Sequence, residues 1–481
     1  MPEPSASDRP LRVLQVGTLE SGGGAASVAR NLMRGYRARG CETWMAVGRP
    51  ASNDPDVFVL ADGTIQRQLR RMAGRSSGRG WGWLSRSLRL AAHPRALLEQ
   101  VRGHEDFEFP ATFDLLNLAP ARPDILHCHN LHGDYFDLRA LKWLSRQLPT
   151  VLTLHDAWLL SGHCAHSFDC DRWKTGCGAC PDLAIYPAIR RDATAANWIR
   201  KRDVYAGSRL YVAAPSRWLM DKLDQSMLAP AVQQARVIPN GVDVATFRPA
   251  DKALVRRALG IAPERAVVLL TIGRHGSPWG DDQMLGAATA LIAARTSKRD
   301  VLFVAVGDAG APRTAEEQLH RVASQSDPKA LAQYYQAADV YLHCARIDTF
   351  PNTILEALAC GTPVVASSVG GIPEQIRSAD SRGVRTGALN RLERATGLLV
   401  AAGDAEAMAA SVVALLGDGA LRRRLGDNAA RDVRDRFDLN RQVESYLAWY
   451  RTIIEHWNGY AKSERAGTPA GAAGPSRMAV D

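Results

Sequence analysis

Short apolar runs along the chain alternate with longer segments whose apolar residues recur at helical spacing. Leu11–Val16 (LRVLQV) predicts a buried strand; Gly17 and the triplet Gly22, Gly23, Gly24 follow it. Ala25–Arg39 then reads as a helix and Glu42–Val47 as a second strand. Strand, glycine loop and helix in that order open a Rossmann-like unit, although the glycine spacing departs from the dinucleotide fingerprint and argues against NAD. The alternation resumes at Asp124–His129, Leu138–Ser145, Thr150–Leu154 and Leu210–Ala214. Val237–Asn240 leads into Gly241 and a polar stretch ending at Pro249, which marks a domain boundary. A second series runs through Ala266–Ile272, Val301–Val306, Asp339–His343 and Pro363–Ala366. A last helix, Leu439–Glu455, precedes an Ala/Gly/Ser/Pro tail.

The expected organisation is a disordered tail over 1–10, an N-terminal α/β domain over 11–245 and a second over 246–438. A helix over 439–460 packs back toward the first domain, and a disordered tail covers 461–481. Two such series predict two doubly wound sheets facing a central cleft, with ligands at the carboxyl ends of the strands.

Composition sharpens this picture in three ways. The 481 residues exceed one compact core, and 46% hydrophobic with 23% charged is the make-up of an ordinary globular protein. The net charge of +10 is concentrated: Arg67, Arg70, Arg71, Arg75, Arg79, Arg86, Arg89, Arg95 and Arg102 face a single acid, Glu99, within 64–102. A local patch argues against nucleic acid. Its interleaved Trp81, Trp83, Leu84, Leu88 and Leu90 fit either an anionic membrane surface or a solvated basic loop. No apolar run is long enough to span a bilayer, and Met1–Pro10 lacks the pattern of a signal peptide. The expected location is cytoplasmic, with the inner face of the membrane as an option, so the eight cysteines are read for a reducing compartment. Cys164, Cys170, Cys177 and Cys180, with His163 and His166 nearby, suit a structural zinc site, packed thiols or redox chemistry. Cys41, Cys128, Cys344 and Cys360 read as core.

The most informative stretch is Ile347–Ala366, IDTFPNTILEALACGTPVVA. Asp348 and Glu356 bracket the first turns of a helix beginning near Phe350 or Pro351. Free amides at such a helix start suit a diphosphate, and a carboxylate further along suits two ribose hydroxyls. Gly361 and Pro363 end the helix.

This stretch resembles the E-x7-E signature of retaining family 4 glycosyltransferases, with Asp348 in place of the first glutamate. VIPNGVD (Val237–Asp243), APSRW (Ala214–Trp218) and GGIPE (Gly370–Glu374) resemble further segments of that family, as do ILHCHN (Ile125–Asn130) and TLHDAW (Thr153–Trp158). The cysteine-rich string resembles an insertion in an exopolysaccharide, colanic-acid-type subgroup. The resemblance implies the GT-B fold. It implies that Asp348 contacts donor-sugar hydroxyls, that Glu356 holds the ribose, and that the amides over Thr349, Phe350, Pro351, Asn352 and Thr353 approach the phosphates. It places His155 beside the donor sugar; the alternative is a histidine that caps a loop or packs against Trp158, and Asp156 orients the loop. Gly22, Gly23 and Gly24 either let backbone approach a ligand or form a plain tight turn.

One departure stands out. The family pairs an arginine with a lysine five positions later on the diphosphate. Here Arg274 fills the first position and Trp279 the second, a loss of about 1–3 kcal/mol of charge-assisted bonding unless another cation such as His275 substitutes. The expectation is a retaining transfer of a hexose-type sugar from a UDP- or GDP-sugar to a saccharide acceptor, lipid-linked, in surface polysaccharide biosynthesis. No metal at the diphosphate and no other cofactor is required. Trp279 keeps open a catalytically impaired GT-B subunit; a GT-B epimerase or phosphorylase is a further option.

Overall fold

The computed structural model describes residues 9–60, 94–272, 280–296, 300–307, 319–379 and 393–465. The chain divides into two compact units, Met1–Ile238 with Val443–Asp481, and Pro239–Gln442.

The first unit is built on a seven-stranded parallel sheet of order β3-β2-β1-β4-β5-β6-β7. Its strands are β1 (Arg12–Leu19), β2 (Glu42–Arg49), β3 (Val57–Val59), β4 (Ile125–Cys128), β5 (Thr150–Thr153), β6 (Leu210–Ala214) and β7 (Val232–Val237). The central strands are continuous apolar runs because both their faces are covered: Val13, Leu14, Ile125, Leu126, Val151 and Leu152 are all fully buried. Helix α1 (Gly24–Arg37) packs Ala29 and Met33 onto Met45 and Val47 of β2. From Val443 onward the last helix also belongs to this unit, and a Cβ at Gly35 of α1 would meet Val443 Cγ2 at 2.3 Å.

The second unit holds a six-stranded parallel sheet of order β10-β9-β8-β11-β12-β13. These are β8 (Ala266–Ile272), β9 (Val301–Gly307), β10 (Leu319–Ala323), β11 (Val340–His343), β12 (Val364–Ser367) and β13 (Gly397–Val400). One apolar cluster covers each face: Leu269, Tyr341 and Leu355 lie in the first, Val268, Val365 and Met408 in the second. Helix α2 (Asn352–Ala359) follows β11, and Gly361, at φ +74°, turns the chain into β12.

In both sheets the strand order reverses beside the first strand, between β1 and β4 and between β8 and β11. Those switch points, at the carboxyl ends of the strands, are where doubly wound sheets take ligands.

Two features differ from the sequence expectation. The edge strands β3, β7, β10 and β13 fall outside the runs read from the sequence: β3 and β13 are only three and four residues long, and polar residues interrupt β7 and β10. The last helix, α3 (Leu439–Arg465), also continues past position 460, because Ala461–Arg465 contains good helix formers. Residues 466–481 and 1–8 lie outside the described residues.

Candidate functional site

In the first unit the loop after β1 meets the loop after β4. A cavity of about 120 Å³ lies there, lined by Gly17, Thr18, Gly22, Gly23, Gly24, His129 and Asn130. Gly22 and Gly23 hold φ of +86° and +118°, which L side chains rarely adopt, and a Cβ on either would meet nothing within 4 Å. These glycines are therefore demanded by the turn, and the space beside them is open. Gly23 caps α1 without a side-chain hydrogen bond, and its carbonyl accepts the Ser27 N–H at 3.0 Å.

Behind this cavity sits a buried histidine cluster. His129 Nδ1 lies 2.9 Å from His155 Nε2, and His129 Nε2 lies 3.0 Å from Gln15 Oε1. The rings of His127 and His129 stand 4.3 Å apart. His127 bonds Thr153 Oγ1 at 2.6 Å and Tyr450 OH at 2.7 Å, so α3 supplies part of the support. Tyr446 OH reaches Thr153 at 2.8 Å and Tyr36 OH reaches Tyr450 at 2.9 Å. Burial keeps these imidazoles neutral: it pulls His127 down to about 3, His155 to about 4 and His129 well below the usual range.

The loop after β5 is fixed from both ends. Asp156 accepts the Trp158 backbone N–H at 2.9 Å and pairs with His132 Nε2 at 2.8 Å. Burial raises the Asp156 pKa, but His132 and the Trp158 amide outweigh it and hold the carboxyl at about 2. Trp158 Nε1–H donates to Glu105 at 2.6 Å, and Lys201, fully buried, donates to Glu105, Trp158 O and Ser161 O. An adjoining hollow of about 380 Å³ is lined by Trp158, His132, Asp134 and Phe107, among others.

Further along, Cys177 Sγ accepts the Gly162 N–H at 3.3 Å and His163 Nε2 lies 3.4 Å from Cys180 Sγ. Burial raises the thiols of Cys164 and Cys177 to about 11 and about 12, and Cys180 upward. All eight cysteines are free. Among the described residues no group of three or more His, Cys, Asp or Glu side chains is placed to hold a metal ion. The four cysteines read as a structural zinc site, Cys164, Cys170, Cys177 and Cys180, are all free and half-buried.

In the second unit the carboxyl end of β11 runs into Asp348 and α2. Asp348 Oδ1 accepts the Phe350 N–H at 3.3 Å, and Tyr335 OH donates to Glu356 Oε2 at 2.9 Å. Asn240 Nδ2 holds both Phe350 O and Asn352 Oδ1, and Gln375 Nε2 holds Pro351 O. Gly370, at φ +56°, lies so close to the Asp348 backbone that a Cβ would meet Asp348 O at 1.9 Å. Thr353 completes the first turn of α2. Four buried side-chain atoms around this loop have no partner: His343 Nε2, Thr349 Oγ1, Asn240 Oδ1 and Gln375 Oε1. Leaving such atoms unsatisfied is unfavourable, and a polar ligand relieves it. Burial pushes both carboxyls up, Asp348 and Glu356 each to about 7. Asp348 keeps 32% side-chain exposure, so water still shares in solvating it.

Arg274, His275 and Trp279 lie outside the described residues, as does most of the arginine-rich segment. Of the latter, only the helix Pro94–Arg102 is described. Among the described residues no helix is long and apolar enough to cross a membrane.

Residues 22–246 match the family model described as Glycosyltransferase Family 4, and 266–418 match Glycosyl transferases group 1. A D-inositol 3-phosphate glycosyltransferase of Geodermatophilus obscurus is 30% identical over 433 residues, covering 87% of this chain and 82% of the relative. The chain belongs to the family 4, group 1 glycosyltransferases. Its similarity extends to the putative colanic acid biosynthesis glycosyl transferase WcaC of Escherichia coli, at 27% identity over 55% of this chain and 64% of that one. Among solved GT-B structures, Anabaena HepE in complex with UDP and glucose superposes with a TM-score of 0.57 at 17% identity, covering 91% of this chain and 99% of that one. This glycosyltransferase therefore has two Rossmann-like parallel-sheet units of GT-B type.

The sequence reasoning missed several site residues of the transferase. Lys201 and Glu105 come from distant segments and carry no motif spacing of their own, whereas Gln15 lay in the strand Leu11–Val16 and His129 in the string ILHCHN without being singled out. His343 and Asn240 stood inside highlighted strings, and their paired and unpaired atoms appear only once β11 and α2 are packed.

Proposed function

We propose that the chain is a retaining transferase that moves a hexose-type sugar from a UDP- or GDP-sugar to a saccharide acceptor, lipid-linked, in surface polysaccharide assembly. The observation that carries this reading is the Asp348–Glu356 loop: two carboxyls, an uncapped helix start and four unpartnered polar atoms in one place. Glu356 accepts the ribose hydroxyls, Asp348 the donor-sugar hydroxyls, and the N–H groups of the Thr349–Thr353 backbone, of which Pro351 has none, turn to the diphosphate. The UDP and glucose named for HepE support a nucleotide-sugar donor, and the likeness to WcaC supports a polysaccharide role. The inositol phosphate named for the Geodermatophilus relative is the rival acceptor chemistry.

In the retaining reaction the leaving phosphate deprotonates the incoming hydroxyl on the same face, so no protein nucleophile is needed. Arg274 stabilises the departing charge, and His155 meets a substrate hydroxyl. Docking of the basic segment 64–102 on an anionic inner-membrane surface would bring a lipid-linked acceptor within reach.

A thermal-shift screen of UDP-, GDP- and ADP-sugars tests the donor. A ligand at a hundred times its dissociation constant adds about 2.7 kcal/mol to stability. No shift with any of the three would sink the reading. Transfer should persist in EDTA. Trp279 supports the second reading, an impaired subunit: donor binding with no hydrolysis or transfer across a broad panel would select it, especially if Trp279→Lys restored turnover.

A further inference from the structure

The histidine cluster has a direction. Two neutral imidazoles joined by one hydrogen bond need one N–H and one lone pair, so whatever fixes the proton on His129 fixes it on His155. His129 is 2% exposed, and its neighbours His127 and His155 oppose any added charge. Gln15 is fully buried, and its Oε1, 3.0 Å from His129 Nε2, can only accept. His129 Nε2 therefore carries the proton and its Nδ1 is a lone pair. That lone pair lies 2.9 Å from His155 Nε2, which must then be the donor. His155 Nδ1 is left bare and has no partner among the described residues.

We propose that Gln15 and His129 are positioning residues that lock His155 in its Nε2–H form, so that His155 Nδ1 works as a hydrogen-bond acceptor for a substrate hydroxyl and not as a proton donor. The proposal deepens the reading of His155 as a substrate-contacting group and rests on it. His155 follows β5 and is partly exposed, whereas His129 and Gln15 are sealed in the sheet. A bare imidazole nitrogen favours a ligand group that carries a hydrogen, a sugar hydroxyl, over an ether oxygen or a phosphate oxygen. Gln15 reaches no substrate; it acts through two rings. The second line of hydrogen bonds, from Tyr36 through Tyr450 to His127 and Thr153, braces the His129 ring from its other face without touching His155.

Nitrogen-15 NMR of the full chain, labelled at histidine, reads each ring nitrogen directly. In the resting protein between pH 6 and 8, His155 Nδ1 should be unprotonated and Nε2 protonated. Gln15→Leu removes the acceptor while keeping the volume apolar, and both tautomers of His155 should then appear. With UDP-glucose hydrolysis as the assay, kcat of Gln15→Leu should fall about tenfold with KM within about twofold, the pattern of a lost orientation. His129→Asn, whose amide oxygen can occupy the place of Nδ1, should keep the tautomer and retain most of the turnover that Gln15→Leu loses. A proton on His155 Nδ1 in the unaltered protein, the pattern a reversed Gln15 amide would impose, overturns the proposal. So does a Gln15→Leu variant that keeps a single His155 tautomer. Full turnover by His155→Ala would instead remove the substrate-contact reading, a result the resting-state spectra do not depend on.

Discussion

Burial acts on both candidate sites, with opposite results. At the end of β5 it lowers the proton affinity of His155, as it does for His127 and His129 behind it, and nearly every nitrogen that results finds a partner within the unit. At the end of β11 it raises Asp348 and Glu356 and leaves four neighbouring polar atoms unpaired. The first site leaves Gln15 Nε2 and His155 Nδ1 without a partner among the described residues and satisfies the rest of the cluster internally. The second is held in an unfavourable state that a hydroxyl- and phosphate-rich ligand relieves. Groups that gain from ligand rather than from the fold are where binding free energy concentrates.

Glu356→Ala breaks the comparison most sharply. Two charge-assisted bonds to a ribose are together worth about 3 kcal/mol, so affinity for a bound sugar nucleotide should fall roughly a hundredfold or more. Calorimetric titration with the donor found in the thermal screen checks this, and unchanged affinity would remove the ribose role. Next comes Gly370→Ala. Its Cβ collides with the Asp348 carbonyl and it must hold φ +56°, so the Asp348 loop has to move. The expected cost is about 1–2 kcal/mol of stability, with donor affinity down about tenfold. Donor binding at the unaltered level would show that Asp348 does not depend on this packing.

Acid should then separate the two units. His127 and His155 fold with proton affinities near 3 and 4, below the ordinary 6.5, so the folded first unit binds fewer protons than its unfolded chain. Its stability is full above pH 6.5 and is lost as pH falls toward 4. Asp348 and Glu356, near 7 against 3.8 and 4.5, do the reverse: stability is full below about 4 and declines as pH rises through 7. Hydrogen exchange at pH 7.5 and 5, corrected for intrinsic rates, should show β4 and β5 opening more easily in acid and β11 with α2 less easily, each by about 1 kcal/mol. Movement in one direction at both places would contradict the contrast. The smallest effect sharpens it: Glu356→Gln should raise the melting temperature at pH 8 by roughly 1–3 °C, with no gain at pH 4, while donor binding is lost. A neutral amide no longer has to hold a disfavoured charge.

Much was determined by the sequence alone. Central strands buried on both faces must be continuous apolar runs, so β1, β4, β5, β8, β11 and β12 could be located before any packing was known. Asp348 and Glu356 could be read together because one stands just before α2 and the other within its first two turns, and the glycine-rich turn after β1 announced itself through residues that tolerate positive φ. The tertiary structure decided what depends on contacts distant in sequence. The edge strands β3, β7, β10 and β13 exist because a neighbour offers hydrogen bonds; β3 and β13 are too short, and β7 and β10 too polar, to stand out along the chain. The pairing of Cys128 with Leu152 across β4 and β5 sets His129 beside His155 from 26 positions away. Tyr450 reaches His127 across 323 positions. Whether a buried polar atom has a partner is a property of that assembled surface.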